Sequence, residues 1–281
     1  MKINWFPGHM TKALRTMEKE IKNIDVVIYV LDSRAPFACL NPEFDKLIVN
    51  KPVLIVLNKI DIADVEKIAS NDIEEKIKNH FKTKVEIIKL DSTASGALKI
   101  IAGRINQLCS DKIEKNRLKN LNSFIRAMVI GVPNCGKSTL VNNLCGRGKA
   151  ITGNKPGVTR GKQWVSVSKN VQLLDTPGTL YPDLSKEAYA KYLAYIGSIR
   201  DEVLDVNELA CFLIDDLEAQ YPNCLEKRYG ISLEGLNYEK LEKIAVSKKF
   251  LLKGGEVDYD RACAMLLDDF RKNRLGMISF I

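Results

Sequence analysis

The stretch "FIRAMVIGVPNCGKSTLVNNLCG", residues 124–146, decides the fold. Its apolar first part is typical of a buried strand, and Gly-x-x-x-x-Gly-Lys-Ser follows at 131–138, directly before a helical run. Such a loop wraps phosphate oxygens with backbone N–H groups, and the helix after it points its positive end at the anion. Lys137 would reach the outer phosphates and Ser138 would ligate Mg²⁺. The remaining predicted phosphate contacts come from Asn134, Cys135, Gly136 and Thr139.

A second phosphate-binding element is "LLDTPG", residues 173–178. Asp175 ends a predicted strand and could hold the metal through water, while Gly178 offers a backbone N–H where the terminal phosphate would lie. Between the two elements, Thr159 in "NKPGVTR" is a candidate second hydroxyl on the metal, although a loop threonine is often only a turn residue. Lys137, Thr159 and Gly178 are therefore candidates for stabilising the reacting phosphate.

The stretch "VLIVLNKIDIAD", residues 53–64, predicts a strand that ends in Asn-Lys-x-Asp. Asp61 can accept hydrogen bonds from the ring N–H and the exocyclic amine of guanine, which adenine does not offer. Asn58 would contact the opposite edge of the base, and the stem of Lys59 would lie along the ring. A site built around such polar groups rejects an analogue that leaves them unpaired by about 10⁴–10⁵-fold. The predicted ligand is therefore a guanine nucleotide.

The two motifs occur in an unusual order, because the base-reading motif precedes the phosphate loop. A parallel sheet requires its strands to be neighbours in space and does not require a fixed order along the chain, so both can serve one circularly permuted site. Near the next predicted strand, Ser92 and Ala94 in "DSTAS" are weaker candidates for contacting the guanine oxygen.

The predicted strands alternate with helical sequence, which indicates an α/β fold with a mostly parallel sheet covered on both faces. These strands are 25–32, 52–59, 85–91 and 124–133, and a hairpin of "QWVSVS" and "VQLLDTPG" closes the sheet. From about residue 183 only helical periodicity remains. We therefore expect a GTP-binding domain at 1–182 and an all-α domain at 183–281.

Composition and charge constrain the class of protein. The 281 residues carry a net charge of +8, yet residues 185–281 hold 14 basic and 17 acidic side chains, so a nucleic-acid footprint would be a local patch. Seven scattered cysteines without a CxxC pair favour reduced thiols over a zinc site. No apolar run approaches about 18 residues, and the N-terminus does not resemble a secretion signal. We expect a cytoplasmic protein without a membrane role, monomeric when free.

Several motifs together resemble one family, the circularly permuted bacterial GTPases called ribosome biogenesis GTPase A (YlqF type). They are "INWFPGHMTKALR", "VLDSRAPFACLNP", "LNKIDIAD", "GVPNCGKSTL", "KPGVTR", "DTPGTLYP", "LEAQYPNCLEKRYG" and "FRKNRLGMISF", which span essentially the whole chain. The resemblance implies GTP hydrolysis coupled to a late step in assembly of the large ribosomal subunit, with the helical tail contacting ribosomal RNA.

Within this resemblance, the roles of four residues stay open. His9 is the family's candidate for positioning the attacking water, but "WFPGHM" could equally be a packing anchor with His9 at the start of a helix. Asn134 looks like a potassium ligand or a turn residue. Thr179 occupies the usual place of a water-orienting glutamine, where relatives carry a bulky apolar residue, so its effect is open. Arg34 could anchor a loop or contact nucleotide or RNA.

Two other functions remain alternatives. The chain could be a non-catalytic, GTP-dependent binding switch, or a permuted GTPase of the small ribosomal subunit. The second is disfavoured because such proteins normally add an N-terminal β-barrel and a zinc module. In the tail, charge alone suggests RNA contacts, although ordinary solvated helix faces explain it equally well, at Lys248, Lys249, Lys253, Arg271, Lys272 and Arg274.

Overall fold

The computed structural model describes residues 6–120, 124–145, 163–168, 170–182, 184, 189–232 and 234–281. Thr159 and the predicted metal-binding loop around it lie outside these residues, as does Trp5 of the "WFPGHM" motif.

The described residues contain one six-stranded sheet with the strand order β3-β2-β1-β4-β6-β5. The strands are β1 Val26–Asp32, β2 Val53–Asn58, β3 Val85–Leu90, β4 Ile125–Ile130, β5 Gln163–Ser168 and β6 Val171–Asp175. All pairings are parallel except that of β5 with β6, which is antiparallel. Because β1 and β2 are buried along their whole length, the centre of the sheet is covered on both faces, as the continuous apolar runs predict.

Helices connect the strands and then form the C-terminal region. In the first region they are α1 Gly8–Glu20, α2 Pro42–Ile48, α3 Val65–Ser70, α4 Ile73–His80, α5 Ala97–Leu108, α6 Ser110–Leu118 and α7 Lys137–Leu144. The C-terminal helices are α8 Ala190–Tyr195, α9 Val206–Gln220, α10 Cys224–Tyr229, α11 Asn237–Ser247 and α12 Tyr259–Arg271. None of the described helices is long and apolar enough to cross a membrane.

This arrangement confirms the predicted α/β fold with a helical C-terminal region. The hairpin of β5 and β6 is also as predicted, and β4 lies beside β1 although 92 residues separate their ends at Asp32 and Ile125. The helix α10 was not predicted, because its six residues are too short to give a clear periodicity. The domain boundary at residue 183 stays a prediction.

The last residues of the chain attach the helical region to the sheet. Ser279 Oγ donates to Ser33 O at 3.0 Å and accepts from the backbone N–H of Asp64 at 3.0 Å. The next backbone N–H, that of Phe280, donates to Arg34 O at 2.7 Å. These bonds hold the C-terminal segment against the carboxyl end of β1 and the start of α3.

Phe280 also fills an aromatic cluster of the helical region. Its ring stacks on Tyr192 at 5.0 Å between centroids and lies 5.5 Å from Tyr195 and 5.6 Å from Phe270. The side chain is 1% exposed. Burial of such a ring against other aromatic rings adds packing energy to the hydrophobic term.

We expect Phe280→Ala to lower the free energy of unfolding by about 3–5 kcal/mol, because it leaves a cavity in the aromatic cluster by which the C-terminal segment is held to the helical region. Met277→Ala is the matched control in the same segment. Met277 is 57% exposed, and its substitution should cost at most about 0.5 kcal/mol. Urea unfolding of both variants measures the difference, and equal losses would contradict the anchoring role of Phe280.

Candidate nucleotide-binding site

The register of the sheet brings the predicted nucleotide-binding residues to one edge. Asp32 of β1 lies opposite Asn58 of β2, and Asn58 lies opposite Leu90 at the end of β3. The phosphate loop follows β4, the other neighbour of β1. Parallel strands with a common edge therefore place the base-reading motif beside the phosphate loop.

The phosphate loop has the backbone geometry that its glycines allow. Gly136 has φ +100°, and a Cβ there would collide with the Asn58 side chain. At Gly131 a Cβ would lie 2.5 Å from Val30 O. The loop therefore packs directly on β1 and on the base-reading motif, and larger residues at these positions would push it away.

Lys137 lies buried at the start of α7, next to the second phosphate element. Its ammonium group donates to Val132 O at 2.7 Å, across its own loop. A Cβ on Gly178 would lie 2.8 Å from Lys137 Nζ and 2.7 Å from Pro133 Cα. The structure thus brings Lys137 and Gly178 together, as both phosphate motifs require.

Asp175 ends β6 in a buried position beside this lysine. Burial raises the pKa of Asp175 to about 6, against the opposing effect of the Lys137 charge. Within the described residues, neither carboxylate oxygen forms a well-aligned hydrogen bond. Two desolvated, unsatisfied carboxylate oxygens form a donor set that suits a hard divalent cation.

The base-reading motif is bonded to the phosphate loop. Asn58 Nδ2 donates to Cys135 O at 2.8 Å, while its Oδ1 accepts from the Ser92 N–H at 3.0 Å and the Ser92 hydroxyl at 2.6 Å. Lys59 has φ +59° and its ammonium group donates to Asn134 O at 2.6 Å. Asn58, Lys59, Ser92 and the phosphate loop therefore form one polar network.

The "DSTAS" segment is positioned by a residue that the sequence did not single out. Asn143 of α7 donates to Ser92 O at 2.7 Å and to Ala94 O at 2.9 Å. The Ala94 N–H donates to Asp91 O at 3.0 Å within a turn. Asn143 lies five residues after Ser138 in a helical run, so local pattern alone gave no sign of this contact.

Asp32, a second residue missed from sequence, is fully buried at the end of β1. Burial alone would raise the pKa of Asp32, but Arg34 and Lys59, each 2.8 Å away, hold it well below its ordinary value. Burial lowers the pKa of Arg34, but the charge of Asp32 and, more weakly, that of Asp61 raise it above its ordinary value. Asp61, which is exposed, therefore lies near this buried pair. Arg34 therefore has the anchoring ion pair, and because it also lines the cleft beside the phosphate loop, its contact with nucleotide or RNA stays a prediction.

A cleft of about 610 Å³ lies between the phosphate loop and the helical region. Lys59, Asn134 and the start of α7 line one side, including Lys137, Ser138 and Thr139. The opposite side comes from the helical region, where the lining residues include Gly197, Arg200, Asp201, Arg271 and Lys272. Arg271 and Lys272 form ion pairs there with Asp201 and Asp268.

His9 is exposed in the first turn of α1. His9 is not one of the described residues that line the cleft. The other histidine, His80, lies within hydrogen-bond distance of Asp45, with 2.8 Å between Nε2 and Oδ2. The catalytic interpretation of His9 therefore stays a prediction.

Thr179 is fully buried at the position of the usual glutamine. Its carbonyl accepts from Asn41 Nδ2 at 3.3 Å, but its hydroxyl has no hydrogen-bond partner in the part of the chain that is described. By contrast, the Thr176 hydroxyl, also buried, donates to Val129 O at 2.6 Å.

We expect Thr179→Val to raise the free energy of unfolding by about 1 kcal/mol, because it removes a desolvated and unpaired hydroxyl without changing the side-chain shape. Thr176→Val, the matched control, removes a formed bond and should lower it by about 1–3 kcal/mol. Urea unfolding of the nucleotide-free protein measures both. Equal destabilisation would mean that the Thr179 hydroxyl has a partner.

Comparison with known proteins agrees with this geometry. The protein-family model described as "50S ribosome-binding GTPase" matches residues 126–248. Ribosome biogenesis GTPase A of Bacillus cereus is 37% identical over 100% of this chain and 94% of the relative, and that of Priestia megaterium is 35% identical over 100% and 96%. The crystal structure of GNP-bound YlqF from T. maritima superposes with a TM-score of 0.63 at 28% identity, covering 96% of this chain and 97% of that one.

The sequence identity over the full length, the fold and the order of the two nucleotide motifs all indicate the same family. This chain is a GTP hydrolase and belongs to the ribosome biogenesis GTPase A family.

Proposed function

We propose that this GTPase assists a late step in assembly of the large ribosomal subunit and contacts ribosomal RNA through its helical region. The observation that carries the proposal is the cleft, because the helical region forms one wall of the space beside the phosphate loop. A nucleotide bound in that cleft would contact the helical region, which we propose also contacts the RNA. The family match supports this, since it runs without interruption from β4 into the helical region.

The guanine end of GTP is assigned to Asp61, Asn58 and Lys59. The Asp61 carboxylate accepts from the ring N–H and the exocyclic amine, Asn58 serves the opposite edge, and the Lys59 stem lies along the ring. Ser92 and Ala94 complete the base pocket. Asn143 holds their segment in place by donating to both of their backbone carbonyls. Adenine has neither a hydrogen on ring N1 nor an amine at C2, so ATP should be excluded.

The phosphates are assigned to the loop from Asn134 to Thr139. Its backbone N–H groups, including those of Cys135 and Gly136, face the phosphate oxygens. Lys137 exchanges a neutral acceptor, Val132 O, for phosphate oxygens, which form stronger charge-assisted bonds. Ser138, Thr159 and, through water, Asp175 would hold Mg²⁺, which neutralises charge on the phosphates. The assignment of Thr159 to this site rests on the sequence alone.

In hydrolysis a water molecule attacks the γ-phosphorus, the bond to the bridging oxygen breaks, and GDP and phosphate leave. Lys137 and the Gly178 N–H stabilise the charge on the γ-phosphoryl oxygens. His9 is the proposed group that orients the water, which requires the start of α1 to approach the cleft when GTP is bound. Asn134 is a proposed potassium ligand beside the phosphates, where a monovalent cation would add positive charge.

Bound GTP would fix the conformation of residues 154–160 and 175–184 through contacts with the terminal phosphate, and so set the orientation of the helical region for docking on RNA. The loop 154–160 lies outside the described residues. Hydrolysis then releases the protein from the subunit. Because positioning elements supplied in trans are typically worth about 10³–10⁵ in rate, turnover should be slow for the free protein and faster on the ribosome. The proposed partner places this activity in the cytoplasm, with the free protein monomeric.

Sedimentation with isolated subunits tests the function. With a non-hydrolysable GTP analogue, the protein should pellet with large subunits; with GDP or without nucleotide, it should stay in the supernatant. Purified large subunits should also raise the GTPase rate. Pelleting with small subunits, or binding that ignores the nucleotide, would contradict the proposal.

We expect His9→Ala to lower the single-turnover rate of hydrolysis at saturating GTP by about 10²–10⁴-fold, the usual contribution of a positioned acid–base group. His80→Ala is the matched control and should leave the rate unchanged, because His80 lies with Asp45 on the protein surface. An unchanged rate in His9→Ala would remove His9 from the mechanism. The same assay in sodium instead of potassium tests Asn134, since a potassium ligand predicts a slower reaction in sodium.

A further inference from the structure

Two hydrogen bonds join the helical region directly to the phosphate loop. Asn134 Nδ2 donates to Gly197 O at 2.6 Å, and Ser198 Oγ donates to Pro133 O at 2.6 Å. Gly197 and Ser198 follow the end of α8, whereas Pro133 and Asn134 are inside the phosphate loop. Ser198 and Pro133 are both buried, so water does not compete for this contact.

The turn after α8 is built to present these groups in a fixed direction. The Gly197 N–H donates to Ala194 O at 3.0 Å and the Ser198 N–H donates to Leu193 O at 2.8 Å. Gly197 has φ +74°, the left-handed conformation that commonly ends a helix in this way. The orientation of the Gly197 carbonyl and the Ser198 hydroxyl is therefore set by the helix end.

Arg271, at the end of α12, bonds to the backbone just before this turn. Its guanidinium donates to Tyr195 O at 3.1 Å and to Ala194 O at 2.9 Å. It also forms a bidentate ion pair with the Asp201 carboxylate, with N–O distances of 2.6 and 2.7 Å. Both Arg271 Nε and Asn134 Nδ2 lie within 3.6 Å of the position that a Cβ on Gly197 would take.

The same helix end is bonded to the base-reading side of the cleft. Arg34 Nη1 donates to Arg271 O at 3.2 Å, and Arg34 pairs with Asp32, which also holds Lys59. Lys59 in turn donates to Asn134 O at 2.6 Å. A chain of polar contacts therefore links the helical region to the phosphate loop through Arg34, Asp32 and Lys59 as well as directly.

We propose that Ser198, together with the Gly197 carbonyl, is a positioning element of the nucleotide site that the helical region supplies. The two groups hold the phosphate loop in its binding shape, and Arg271 holds them in turn. Docking of the helical region and retention of nucleotide are then coupled, and such coupling acts equally in both directions. A partner that pulls on the helical region would speed the release of nucleotide. This inference rests on the GTP site proposed above and not on the identity of the ribosomal partner.

Nucleotide release from Ser198→Ala tests the positioning role. The substitution leaves the buried Pro133 carbonyl unpaired, and fluorescent GDP should dissociate about 5- to 30-fold faster than from wild type in a stopped-flow displacement assay. Ser247→Ala is the matched control, because the Ser247 hydroxyl donates to Ile244 O within α11. Its dissociation rate should equal that of wild type.

A second readout separates positioning from a merely structural effect. The rise in melting temperature on adding GDP depends on affinity, since a ligand stabilises only the folded state that binds it. This rise should shrink in Ser198→Ala and stay unchanged in Ser247→Ala, whatever happens to the melting temperatures without nucleotide. Asp201→Asn, at an exposed position, weakens the hold on Arg271 and should speed release in the same direction.

Unaltered GDP release in folded Ser198→Ala and in Asp201→Asn would overturn the inference. If Ser198→Ala fails to fold, Asp201→Asn alone decides, and an unaltered release rate in that variant overturns it as well. If wild type itself did not bind GDP, the proposed nucleotide site would be at fault instead. The two failures are therefore distinguishable in one set of measurements.

Discussion

The ammonium group of Lys59 joins the two halves of the nucleotide site. It lies between the Asp32 carboxylate, at 2.8 Å, and the carbonyl of Asn134, at 2.6 Å. A fully buried carboxylate is costly unless cations compensate it, so Asp32 requires both Lys59 and Arg34. Because Lys59 belongs to the base-reading motif and Asn134 to the phosphate loop, this cation, together with the bond from Asn58 to Cys135 O, sets the distance between the guanine end and the phosphate end.

Circular permutation changes what is attached to this site without changing the site. β4 carries the phosphate loop and lies beside β1, so the two motifs meet at one edge whichever comes first in the chain. What the permutation alters is the continuation of β6. The segment after Asp175 contains Gly178, which lies beside Lys137, and continues in sequence into the helical region. The part of the chain next to the reacting phosphate therefore leads to the region that we assign to RNA.

Patterns local in sequence predicted most of the fold and the two nucleotide-binding motifs. Apolar runs gave the strands, and the phosphate loop and Asn58-Lys59 were recognisable because a few adjacent residues carry their chemistry. The partners of those residues were not predictable. Asn143 and Ser198 act across long chain separations, as does Asp32 in its pair with Lys59, and nothing in their neighbourhoods distinguishes them from ordinary polar residues. Charge along the tail also did not show that Arg274 pairs with Asp268 and Asp269, and the RNA contacts of the tail stay a prediction.

One titration tests most directly whether Asp61 and Lys137 line a single guanine-nucleotide pocket. GTP, XTP and ATP are titrated against wild type and Asp61→Asn. Xanthine carries a carbonyl where guanine has its amine, so an asparagine amide can donate to it where the aspartate could only accept. Wild type should bind GTP and exclude ATP, while Asp61→Asn should lose GTP and gain XTP. ATP binding as tight as GTP in wild type, or an unchanged preference in Asp61→Asn, would contradict the shared pocket.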